Sequence, residues 1–124
     1  MADLTDKVRV ALEVYLQRGR DALAALESQR VEEFFQIMTR RDAAFHNFRA
    51  LDAVAAHEGI DVAVDGRVRR LWTEIDLVNR TLGGRMTELQ SELGERLARL
   101  RAAAVHTKAY HSGTPPALRL VKQA

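Results

Sequence analysis

A chain of 124 residues is the size of one domain and leaves no room for a catalytic domain beside a second module. Ala (19), Arg (16) and Leu (15) far outnumber Gly (7) and Pro (2), so helix formers prevail and the turn residues of a sandwich, a barrel or a doubly wound α/β fold are scarce. Nineteen basic residues nearly balance 17 acidic ones and cysteine is absent, which argues against a dedicated nucleic-acid binder and excludes disulfides, thiolate metal sites and cysteine catalysis.

The first helix is predicted over about residues 5–27. Val8, Leu12, Tyr15, Gly19, Ala22 and Leu26 alternate spacings of four and three, the stripe of a helix packed on other helices. Leu16 and Leu23 widen it. Gly19 sits on the stripe, where it lowers helix propensity but lets another backbone come close. The phase breaks at Glu27-Ser28-Gln29-Arg30, which predicts a tight helical hairpin with Ser28 as the N-cap of the next helix.

The second helix is predicted over about 29–57, with a stripe of Val31, Phe34, Phe35, Met38, Phe45, Phe48, Leu51 and Ala55. All four phenylalanines lie here. Burial of each contributes roughly 1.5–3 kcal/mol, so this helix is expected at the centre of the core. Phe34 and Phe35 cannot both face inward, which leaves one of them for the surface. The stripe meets Arg40-Arg41-Asp42 midway, and Gly59 closes the helix.

Asp61 or Asp65 is placed to cap the third helical segment. That segment carries Val68, Trp72, Ile75, Val78, Leu82, Met86, Leu89, Leu93, Leu97, Leu100 and Ala104. Uninterrupted, it has about 45 residues and measures about 68 Å. The stripe keeps its phase across Gly83-Gly84, which predicts a continuous or gently bent helix; a fold-back at the pair would give four helices. Residues 1–111 therefore read as an all-α domain, a helical hairpin plus a long third helix (a three- to four-helix, coiled-coil-like bundle), and 112–124 as a flexible tail, the run His111–Pro116 stopping any helix.

Those lengths carry the functional expectation. A hairpin of the first two helices spans roughly 42 Å, and a continuous third helix is longer by about 25 Å. Its leucines continue through Leu93, Leu97 and Leu100. An apolar stripe of that kind marks a binding surface, to be covered by a second copy of the chain or by a partner's amphipathic helix.

No phosphate loop, HExxH, EF-hand loop or nucleophile elbow occurs, so no enzyme, cofactor or metal is expected. His106 and His111 are five apart and fall on different helix faces, and His46 and His57 have no ligand spacing. Glu32-Glu33, Asp42 and Asp52 read as solvated surface. Arg67, Arg69, Arg70, Arg80, Arg85, Arg96, Arg99, Arg101 and Lys108 would serve a nucleic-acid surface, but an ordinary helix exterior is the commoner meaning. The Arg67 cluster opposes the helix dipole, an imbalance that Asp61 and Asp65 can offset. No apolar run approaches the roughly 20 residues of a membrane span, and Met1–Asp6 has no signal-peptide character. A cytoplasmic location is expected.

Three stretches carry a family resemblance: Leu23-Ala24-Ala25-Leu26-Glu27-Ser28-Gln29-Arg30-Val31-Glu32-Glu33-Phe34, a helix end, short break and acidic restart; Arg40-Arg41-Asp42-Ala43-Ala44-Phe45-His46-Asn47-Phe48, a basic-acidic-apolar run; and Leu97-Ala98-Arg99-Leu100 leading into Lys108-Ala109-Tyr110. Over residues 5–111 the layout resembles the flagellar type III export chaperones of the FliT and FlgN type. Gly83-Gly84 and Pro115-Pro116 stand outside that pattern. The resemblance implies a chaperone or adaptor that binds the amphipathic C-terminal segment of a flagellar axial subunit, of the filament-cap or hook-filament junction type. It keeps that segment soluble until export, and the tail is expected to compete for the groove. Partner contacts are then expected on Leu89, Leu93, Leu97, Leu100 and Tyr110. The alternatives are a self-associating structural coiled coil, with a homodimer as its simplest form, and a small helical nucleic-acid-binding regulator.

Overall fold

The computed structural model describes residues 3–110, and the side chains of residues 3–105. Three helices account for nearly all of it: α1, Leu4–Glu27; α2, Val31–His57; and α3, Gly66–Tyr110, with a single 3-10 turn at Val62–Val64 before α3. No strand occurs among the described residues. The fold is all-α, as the composition requires. Helix α3 runs 45 residues without a break at Gly83-Gly84, so the four-helix alternative is not adopted. By contacts the chain divides between Arg85 and Met86 into two compact units.

In the first unit, residues 1–85, α1 and α2 form an antiparallel hairpin and the start of α3 packs beside them. Cross-helix contacts fix the directions. Tyr15 meets Phe45 at 5.2 Å between ring centroids, and Phe48 meets Trp72 edge-to-face at 5.4 Å. Arg67 reaches Asp6 near the start of α1, and Arg85 reaches Glu27 at its end. Helix α3 therefore enters this unit parallel to α1.

The core centres on α1, not on the phenylalanine-rich α2. Val8, Leu12, Ile75 and Val68 are the largest fully buried side chains; two come from α1, two from α3 and none from α2. Phe34 and Phe48 are buried, Phe45 is half-buried and Phe35 is 62% exposed. The expectation failed because α2 shares its inward face with a charge, Arg41. The regular four-three spacing of α1 has no such interruption. Every residue of that spacing is buried except Tyr15, which is half-buried against the core.

Arg41 is the one buried charged residue among the described residues, 7% exposed. Its guanidinium lies 4.2 Å from the Tyr15 ring centroid and donates to Asn79 Oδ1, while its Nε has no hydrogen-bond partner. Gly19 makes room for it. A Cβ there would stand 3.0 Å from Val78 Cγ1 and 3.1 Å from Arg41 Nε. One glycine on α1 thus receives one side chain from each neighbouring helix. A buried polar contact of this sort sets the register between helices more than it adds stability.

The two helix ends show why the hairpin is tight. Arg30 N–H donates to Ala25 O at 2.9 Å and Gln29 N–H to Leu26 O at 3.1 Å; Ile60 N–H donates to Ala55 O at 2.9 Å and Gly59 N–H to Ala56 O at 3.0 Å. Both are Schellman closures, in which a left-handed residue lets the last carbonyls find donors. Gly59 adopts φ 76° as expected, but in α1 the left-handed residue is Gln29, at φ 59°. Ser28 accordingly caps the end of α1 and not the start of α2. The N-cap of α2 is Arg30, with no side-chain cap bond. An L-residue in that conformation costs about 1–2 kcal/mol. Gln29→Gly is therefore expected to raise the stability of the hairpin by about 1 kcal/mol, measured by urea unfolding.

Both candidate aspartates act as caps. Asp61 Oδ1 accepts from Ala63 N–H at 3.1 Å, and Asp65 Oδ1 accepts from Arg67 N–H at 2.8 Å and Val68 N–H at 3.2 Å. The Arg67 guanidinium bonds Asp65 at 3.4 Å and Asp6 at 3.3 Å, so the basic residue at the positive end of α3 is held by carboxylates from two elements. The Arg67 side chain, then the Val68 amide, hold the Asp65 carboxyl below its ordinary value. Since the folded value is lowered, the stabilisation is present above the usual carboxylate range and is lost as pH falls through the lowered value. Asp65→Asn, which keeps the cap and removes the charge, should flatten the loss of melting temperature on acidification below about pH 4.

Candidate functional site

The second unit contains the segment of α3 from Met86 onward. Every residue from Ser91 to Ala103 is exposed, so no side of this stretch is covered by the described residues. Leu93 is 55% exposed, Leu97 52% and Leu100 67%, while Leu89 and Ala104 are half-buried. All five predicted contact residues thus lie on described helix, four of them with described side chains. The side chain of Tyr110 is outside the described residues, as are His111 and the tail 112–124.

The leucines share one face because of their spacing. Leu71, Ile75, Val78, Leu82, Met86, Leu89, Leu93, Leu97, Leu100 and Ala104 follow the repeat four-three-four without an error. Eleven residues then make three turns, or 3.67 residues per turn, close to the 3.6 of a straight helix. At 100° per residue, Met86, Leu89, Leu93, Leu97, Leu100 and Ala104 fall within an arc of about 80°. The same repeat that buries Ile75 and Leu82 in the first unit therefore runs on into leucines that none of the described residues buries. Met86 and Ala104, both on the predicted stripe though not among the predicted contact residues, belong to the same face.

Single exposed apolar residues elsewhere, such as Val10, Val54 and Val64, are ordinary. Phe35 packs edge-to-face on Phe34 at 5.5 Å between centroids and lies beside exposed Val31. That is a small apolar spot next to an open depression lined by Arg30, Glu32, Glu33, Gln36 and Arg40. It has no run of apolar positions comparable to the α3 face.

Among the described residues no three His, Cys, Asp or Glu side chains are grouped to hold a metal ion. No described helix is long and apolar enough to cross a membrane. Several arginines of α3 are already engaged: Arg67 with Asp65 and Asp6, Arg80 with Asp76 at 2.8 Å, and Arg85 with Glu27 at 3.9 Å. Compared with family models, curated proteins and solved structures, the chain matches none.

Proposed function

We propose that this protein is a binding adaptor without catalytic activity, whose α3 face Met86–Ala104 seats an amphipathic helix of another protein. The observation that carries the proposal is the continuation of the core repeat of α3 through Leu93, Leu97 and Leu100, where those side chains are more than half exposed. A helix exposed on all sides gains little from its own packing, and a leucine row is a costly surface to leave in water. Both conditions are relieved when a partner helix covers it. Leu, Met and Ala suit an apolar groove of that kind, because Met adapts its shape and Ala leaves room.

The resemblance to flagellar export chaperones makes the client specific: the C-terminal amphipathic segment of a filament-cap or hook-filament junction subunit, held soluble until export. Covering a helix that must later be released calls for moderate affinity, which a face with a few leucines and no deep pocket provides. Coexpression with each axial subunit tests this. The chain should keep one of them soluble and copurify with it in equimolar amount; if none of them copurifies, the flagellar assignment is wrong.

A nucleic-acid role has weaker support, since Arg67, Arg80 and Arg85 of α3 already face carboxylates.

A further inference from the structure

The charges beside the leucine face are segregated along the helix. Residues 86–95 carry Glu88, Glu92 and Glu95 and no base; residues 96–105 carry Arg96, Arg99 and Arg101 and no acid. They are also segregated around it. With the leucine face spanning an arc of about 80°, Glu92, Arg96 and Arg99 project on one flank, Glu88 and Glu95 lie toward the back, and the other flank holds Gln90, Gly94 and Arg101. Among the described residues, Glu92, Glu95, Arg96, Arg99 and Arg101 make no ion pair.

Two helices packed antiparallel through one face bring like flank against like flank; packed parallel, they bring opposite flanks together. Only the antiparallel arrangement sets this charged flank against itself, with the direction reversed, so that the acidic half of one copy lies along the basic half of the other. Centring the pair near residue 95 places Glu92 across from Arg99, with Arg96 one turn away on the same flank. The same centre sets Leu93 opposite Leu97, Leu89 close to Leu100, and Met86 opposite Ala104. The apolar repeat and the charges thus select one register independently. In parallel register the charged flank would instead face Gln90, Gly94 and Arg101, and Glu92 would have no base opposite it.

We infer that, with no client bound, two copies of the chain pair antiparallel through residues 86–104. The docking surface then covers itself, and a client must displace the second copy to bind. This regulation rests on the reading of the same face as a docking surface.

The native chain has no cysteine, so disulfide trapping in the full chain is free of background. A mixture of Met86→Cys and Ala104→Cys chains under mild oxidation should give a mixed disulfide in high yield. Ala104→Cys alone should give almost none. Its two sulfurs would be separated by about 18 residues of helix rise, roughly 27 Å, where a disulfide requires Cα atoms within about 7 Å. Efficient trapping of Ala104→Cys with itself would show a parallel pair and overturn the inference, as would a chain that sediments as a monomer at tens of micromolar. Charge exchange supplies an independent arm. Glu92→Arg should weaken self-association several-fold, and mixing with the Arg96→Glu, Arg99→Glu chain should restore pairing. Unchanged association in the first variant would also overturn it. Because this assay contains no client, its failure leaves capture of an axial subunit to be judged on its own, and failure of capture leaves the trapping pattern intact.

Discussion

Leu93→Asp combined with Leu100→Asp will abolish client capture and leave the helical circular-dichroism signal and the melting transition of residues 3–85 unchanged. Both side chains are more than half exposed in the free chain, so aspartate there meets water and forfeits little more than helix propensity, about half a kcal/mol per site. Under a client helix each leucine contributes roughly 1.5–3 kcal/mol of apolar burial, and each aspartate would have to give up its hydration besides. Together the two sites cost more than about 2.7 kcal/mol, so affinity should fall by more than about 100-fold. Loss of the melting transition in the double variant would instead mean that the stripe is core.

Leu12→Ala will lower the stability of the first unit by about 2–5 kcal/mol, whereas Leu97→Ala will change it by no more than about 0.5 kcal/mol. The same substitution is being made at two positions of similar helical environment. Leu12 has no exposed surface and sits in the cluster formed by Val8, Leu16, Phe48, Val68 and Ile75, so truncation leaves a cavity with packed walls. Leu97 is 52% exposed, and truncation leaves only solvent. Urea unfolding followed by the fluorescence of Trp72, which contacts Phe48, reads both values. Both are measured where the chain is monomeric; a large loss at Leu97 there would mean that α3 beyond Met86 is buried within the chain itself.

Much of the fold was legible because its signals are periodic. The four-three spacing of α1 and the unbroken phase of α3 across Gly83-Gly84 predict helices close to those observed, and Gly59, Asp61 and Asp65 punctuate the chain as their types suggest. What was not legible depends on neighbours in space. Ser28 looked like an N-cap, but its amide continues α1 by donating to Ala24 O, and the left-handed turn falls on Gln29, a residue that does not advertise it. The four phenylalanines placed the core on α2, yet the position of Arg41 among them diverts that face. Only the three-dimensional meeting of Arg41 with Gly19, Tyr15 and Asn79 shows how the charge is housed. The Arg67 cluster, unfavourable by the helix dipole alone, makes sense once Asp6, 61 residues earlier, lies beside it.

The candidate site followed the same division. The leucines were visible as a row in the sequence, and their exposure became visible only in the structure, because burial is a property of what lies opposite. Tyr110 remains a sequence expectation, its side chain lying outside the described residues.

Hydrogen exchange on the free and client-bound chain bears most directly on the central claim, that the α3 face from Met86 to Ala104 is the docking surface. The full chain is diluted to a concentration where it is monomeric, and a peptide of the C-terminal helix from the copurifying axial subunit is added. Amides of residues 86–104 should exchange quickly in the free chain and become protected on binding, with α1 and α2 unaffected. Protection that appears on α1 or α2 while residues 86–104 stay unchanged would contradict that claim.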